Sequence, residues 1–145
     1  MNFAGSLKAM VTDWFDGEKN LKNDTERQRL EKKFYERLSL LPDKFTQLSS
    51  ELKKLKFRKA MIVEYPVSLL ETMRNGKVVD GESCGIFYSE LSGLTLEKED
   101  GILFKKLGND LNKVIAYEAN RFNWVYVDGI ADAFLGHGYC APDTY

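Results

Sequence analysis

The chain is poor in the groups that reactive sites most often use. It has one histidine, His137, and two cysteines, Cys84 and Cys140, among 145 residues. One imidazole and two thiols this far apart are too few for a structural zinc site, so neither a metal nor a cofactor is expected. Charge of one sign is also missing. The 21 Lys/Arg nearly cancel the 22 Asp/Glu, leaving a net −1. That balance offers no electrostatic reason to expect nucleic acid or an anionic membrane surface as partner. No apolar run approaches the roughly 20 residues needed to cross a bilayer, so no membrane span is expected. The opening residues, Met1 to Ser6, contain no basic stretch leading into an apolar one, which is how a signal peptide reads. Taken alone, the chain is expected in the cytoplasm. A signal peptide encoded upstream would make it secreted or periplasmic. Internal repeats and low-complexity tracts are absent.

What is present is enough to fold. Hydrophobic residues make up 43% of the chain and aromatics 12%. This supports a packed core, in one domain or part of a larger one. The charge is unevenly placed. Residues 1–60 hold 14 Lys/Arg against 9 Asp/Glu, and residues 61–145 hold 7 against 13. Because acidic residues are interspersed throughout, the Lys-rich half reads as a solvated helical face rather than a basic docking surface.

Periodicity divides the chain. Phe3, Leu7, Met10, Val11 and Trp14 fall at helical spacing and predict a short amphipathic helix over 3–15. Asp24 or Thr25 can cap the next helix, because a short side-chain oxygen accepts from free N–H groups of the first turn. Leu30, Phe34, Leu38 and Leu41 form one stripe, which Pro42 interrupts. Proline is tolerated in a first turn and not in a helix interior, so two helices are expected, over 25–40 and 43–56. Phe45, Leu48, Leu52 and Leu55 make the second stripe.

Residues 59–65 read as a strand, apolar on both sides and therefore suited to a central position. Residues 66–94 read as irregular, with turn signals at Asn75-Gly76 and Asp80-Gly81. The longest helix is expected over 95–122, burying Leu103, Leu107, Leu111, Val114, Ile115 and Phe122. Gly101 and Gly108 weaken its first half. A second strand follows at 124–128, and Gly129 breaks it before a possible helical turn at Ile130–Phe134. Strand, crossover helix and strand imply parallel pairing. Two strands alone do not make a stable parallel sheet, which needs both faces covered, so more sheet is expected elsewhere.

Three segments resemble SGNH (GDSL-like) hydrolases of the bacterial secreted type. The stretch Trp124-Val-Tyr-Val-Asp-Gly-Ile-Ala-Asp-Ala-Phe-Leu-Gly-His-Gly-Tyr-Cys-Ala141 is similar to a late segment of that family, where a strand ending in Val-Asp leads to a Gly-His-Gly-x-Cys loop. Met61-Ile-Val-Glu-Tyr-Pro66 resembles its strand ending in Tyr-Pro, and Leu111-Asn112 resembles its Leu-Asn pair. Their order and spacing agree, over roughly residues 40–141. The resemblance implies an α/β fold, a partial flavodoxin-like three-layer sandwich with a parallel sheet, and residues 1–145 as one incomplete domain. It also implies ester hydrolysis in the full-length family. There a serine attacks the ester carbonyl, a histidine takes its proton, and preorganised donors hold the oxyanion.

The hydrolytic parts themselves do not occur in the chain. There is no Gly-Asp-Ser, and Asp80-Gly81-Glu82-Ser83 has the wrong order. Gly-x-Asn-Asp does not occur; Gly81-Glu82-Ser83-Cys84-Gly85 has the Gly-x-Ser-x-Gly spelling, but it lies in the stretch read as irregular and not at a strand-to-helix turn. Gly108-Asn109-Asp110 sits within the long helix and reads as its solvated face. An Asp-x-x-His pair ending at His137 needs aspartate at 134, where Phe134 stands. The resemblance thus implies a chain that starts just after the oxyanion asparagine and stops just before the catalytic histidine, inactive alone, with the rest of the domain as a possible partner. His137, between Gly136 and Gly138, is expected in a tight loop. Its alternatives are a backbone-bonded loop residue or a substrate-side role.

Asp128 and Asp132 lie near a strand's C-terminal end, where α/β folds place their sites. A paired-carboxylate role for Asp128 and Asp132, with Asp128 as a second substrate-side candidate, stands against the plainer reading of turn-former and helix cap. Cys84 and Cys140 are both in loops expected at one edge of the sheet. A Cys84–Cys140 disulfide is expected if the protein is exported, and free thiols if it is not. Two rival readings remain. One is a non-enzymatic interaction module presenting the Lys-rich helices at 25–59. The other is a complete small hydrolase pairing His137 with Ser6, Ser83 or Ser92.

Overall fold

The computed structural model describes residues 24–55, 58–67, 71–74, 77–83, 87–89, 94–96, 98–135 and 137, with the strands between 71 and 96 described by their backbone. Helix α1 (Asp24–Leu38) and helix α2 (Leu41–Lys53) form an antecedent pair joined by Ser39 and Leu40. They lead to strand β1 (Met61–Val63). Two hairpin pairs follow, β2 (Glu71–Arg74) with β3 (Lys77–Ser83), and β4 (Phe87–Ser89) with β5 (Leu94–Leu96). Helix α3 (Lys98–Arg121), strand β6 (Val125–Val127) and helix α4 (Ile130–Phe134) complete the order. Among the described residues this is a helix-rich α/β arrangement around a small parallel sheet.

Pro42 acts as its chemistry demands. It occupies the first turn of α2, where its missing N–H has no intrahelical partner to lose. Phe34 and Leu38 of α1 and Phe45 of α2 turn inward onto Leu107, Leu111 and Ile115 of α3. Phe45 is 1% exposed, and removing a phenylalanine from water contributes about 2–3 kcal/mol. The Phe45 ring also lies 5.6 Å from that of Trp124. The helix ends at Lys53, short of the expected 56, so Leu55 leaves the apolar stripe and is exposed.

Helix α3 matches its predicted face. Leu107, Leu111 and Ile115 are buried, and Leu103, Val114 and Phe122 pack around them. Polar ties hold α1 against it. Asp100, 1% exposed in the first turn of α3, accepts a 2.8 Å bond from Arg27 Nε. Tyr35 Oη donates to Asp110 at 2.7 Å, and Lys106 pairs with Glu31. The bond to Asp110, burial and the Asp110 charge push the Tyr35 phenol up; the bonds from Lys113 and Tyr35 hold the Asp110 carboxyl down. Arg27 and Asp110 therefore depart from the purely solvated role expected of the charged helix faces.

The end of α3 explains where β6 starts. Asn123 takes a left-handed φ of 56°, its N–H donates to Asn120 O, and Trp124 N–H donates to Ala119 O at 2.8 Å. This pair of bonds is a Schellman cap, with asparagine in the position glycine usually fills. It turns the chain at once into β6. Val125 N–H then donates to Ala60 O, and Glu64 N–H to Val127 O, both at 2.9 Å. The strands run parallel, with Met61 opposite Val125, Ile62 opposite Tyr126 and Val63 opposite Val127.

The irregular stretch expected over 66–94 is corrected by the two hairpins. Arg74 pairs with Lys77, and Asn75-Gly76, expected as a turn, falls between them in sequence but outside the described residues. Asp80-Gly81, expected as a second turn, falls inside β3. There the register slips, since Glu71 opposes Ser83 while Met73 opposes Val78. Residues that oppose no partner in a ladder form a bulge, which glycine accommodates.

Gly108 has a packing role. A Cβ built there would stand 2.4 Å from Val67 Cγ1 and 3.3 Å from Val67 Cβ. The segment after β1 therefore crosses α3 at a distance only glycine permits. Replacing Gly108 by alanine should raise helix propensity by about 1 kcal/mol yet destabilise the protein by about 1–2 kcal/mol net. Adding Val67→Ala should recover part of that loss, and urea unfolding of the two variants measures both. Equal or greater stability of the Gly108→Ala protein would contradict the close contact.

Candidate functional site

The C-terminal ends of β1 and β6 lie side by side, because the strands are parallel and in register. Three separate pieces of chain meet there: Glu64 and Tyr65 after β1, Asn112 from the middle of α3, and the run from Asp128 after β6 into the start of α4.

Asn112 is buried and clamps the backbone of Tyr65. Its Oδ1 accepts from Tyr65 N–H at 2.8 Å, and its Nδ2 donates to Tyr65 O at 2.9 Å. Only a side-chain amide offers a donor and an acceptor in this arrangement. Sequence reasoning treated Leu111-Asn112 as part of a resemblance and assigned the asparagine no task. The available signal was a polar residue one position beyond Leu111 and four beyond Gly108, inside the buried face of α3.

Glu64 was also missed. Its Oε2 accepts from the N–H groups of Ile130 at 2.9 Å and Ala131 at 3.2 Å. These are orphan donors of the first turn of α4. Gly129 begins that helix with a left-handed φ of 79° and supplies no side-chain cap, so the carboxylate of a distant loop does so. Beside it, Tyr126 of β6 packs on the inner core. Burial first, then the charges of Glu64 and Asp128, push its phenol above the ordinary range.

Asp128 is exposed directly after β6, and Asp132 is exposed on α4. His137 is half-buried three residues past the end of α4, and its N–H donates to Phe134 O at 3.0 Å. Asp128 and His137 thus flank α4, one before it and one after it. Ser83 ends β3. Cys84, Cys140, Ser6 and Ser92 lie outside the described residues, as does the helix expected over 3–15. Among the described residues no group of three His, Cys, Asp or Glu side chains is placed to hold a metal ion. No described helix is long and apolar enough to cross a membrane.

Chemically, the edge offers carboxylates, with Glu64 already committed to two backbone donors. Compared with protein-family models, curated proteins and solved structures, the chain matches none.

Two outcomes follow from the geometry. Asn112→Asp keeps the acceptor for Tyr65 N–H but sets a carboxylate against Tyr65 O when ionised. It should cost about 2–4 kcal/mol at neutral pH. Its folded pKa should be raised, so the loss shrinks as pH falls through the carboxylate range and protonation restores a donor. Thermal unfolding as a function of pH checks the direction. Titration of Tyr126, followed by NMR of labelled tyrosine, should move toward the ordinary phenol range in Glu64→Gln while staying above it, since burial is the larger cause. The raised value contributes stability up to the ordinary phenol pKa, and this is lost as pH rises through the folded one.

Proposed function

We propose that this chain is the central scaffold of an SGNH-type serine ester hydrolase, folding as part of a flavodoxin-like three-layer sandwich and not hydrolysing esters by itself. One observation carries the reading. The three segments that resemble that family, around Tyr65-Pro66, Leu111-Asn112 and Val127-Asp128, converge on one edge of the parallel pair. Asn112 of the second grips Tyr65 of the first, and Glu64 of the first caps the helix that follows the third. Residues held together this way would orient loops around a site at the C-terminal ends of parallel strands, where open α/β sheets bind their ligands.

In this reading the edge supplies position rather than reaction. Asp128 and His137 face the substrate side, and the nucleophile, the oxyanion asparagine and the general base come from other polypeptide. An ester is the substrate class, because the resemblance implies acyl transfer to water.

The DNA on either side of the coding sequence tests this directly. A frame encoding Gly-Asp-Ser upstream and Asp-x-x-His downstream is the expected result. Flanks without either would leave the chain as an interaction module instead. The chain alone should not release nitrophenol from a short-chain nitrophenyl ester. Turnover that disappears in His137→Ala would show a complete enzyme and overturn the proposal.

A further inference from the structure

The β1–β6 pair has two unlike faces. Paired residues of parallel strands share a face, so Ile62 and Tyr126 point one way and Met61, Val63, Val125 and Val127 the other. Ile62 and Tyr126 pack against the helical core. On the other face Met61 is 67% exposed and Val63 55% exposed, while Val125 and Val127 are half-buried, and all four are apolar. Parallel strands are ordinarily covered on both faces.

We propose that the amphipathic segment 3–15 of this same chain packs as a helix on that open face. Its stripe, Phe3, Leu7, Met10, Val11 and Trp14, runs along one side of a helix for about 16 Å. The patch, two strands of three residues each, measures roughly 10 Å by 10 Å, and a helix is about 10 Å across. Residues 16–23 connect the segment to α1 and reach up to about 27 Å when extended, enough to pass a sheet and one helix layer of about 20 Å. A second copy of the chain fits less well. A patch of about 100 Å2 is far below the roughly 800 Å2 per partner that a stable interface buries.

Hydrogen exchange on the full chain tests the docking. The amides of residues 7–14 should exchange at least ~10-fold more slowly than in the free peptide. That protection should not change with protein concentration. Val63→Lys should abolish it while α3 stays protected, which also shows that the variant is folded. Leu7→Ser with Met10→Ser leaves the sheet unaltered; it should release the segment and raise the fluorescence of a dye that binds apolar surface several-fold. Free-peptide exchange in the unaltered chain overturns the proposal. So does protection that survives Val63→Lys or the serine pair, or protection that appears only with dimers in sedimentation.

Discussion

Burial of one stripe on α3 is the constraint the rest of the structure answers to. Leu107, Leu111 and Ile115 are removed from water by Phe34, Leu38 and Phe45 on one side, with Ile62 and Tyr126 of the parallel strands packed around the cluster. A 24-residue helix is long enough to serve both groups at once. The ion pair of Arg27 with Asp100 and the bond from Tyr35 to Asp110 then set how α1 lies along it. These polar ties orient; the apolar stripe supplies the driving force, since hydrophobic burial is strong but non-directional.

The same helix carries two residues that fit the stripe's position and not its chemistry. Gly108 withholds a side chain, and the chain leaving β1 occupies the space. Asn112, one turn on, holds that chain by both backbone groups of Tyr65. Together they fix the path of the β1 loop and so bring Glu64 to the first turn of α4. A buried backbone donor or acceptor without a partner is costly, so an asparagine here does work that no apolar residue of similar size repeats. The proposed placement of a ligand site depends on this loop being held, whichever residues complete the chemistry.

The small parallel sheet shows the opposite situation. Its inner face is satisfied by the core, while on its outer face Met61 and Val63 are largely uncovered by the described elements and Val125 and Val127 are half-buried. Apolar composition on both sides of β1 was legible from Met61-Ile62-Val63 and was read as a central strand. The strand is instead covered by described elements on one side. Composition records that a face is apolar, but not what lies against it, because that depends on chain passing from elsewhere.

Local patterns carried much of the architecture. The helical stripes, the break at Pro42, the two short strands and the helical turn after Gly129 all follow from spacing and from the backbone limits of proline and glycine. The hairpins between 71 and 96 did not, because short strands bounded by Gly and Asx look the same as loops, and Asp80-Gly81 has turn chemistry whether it makes a turn or a bulge. The tasks of Glu64, Asn112 and Gly108 were equally invisible. Each depends on a partner at least 41 residues away in sequence, the span from Val67 to Gly108 being the shortest. Residue type and period are properties of a segment, and they are written in the chain itself. Which backbone group meets which side chain is a property of how segments pack, and packing assigns it only after the core has brought them together.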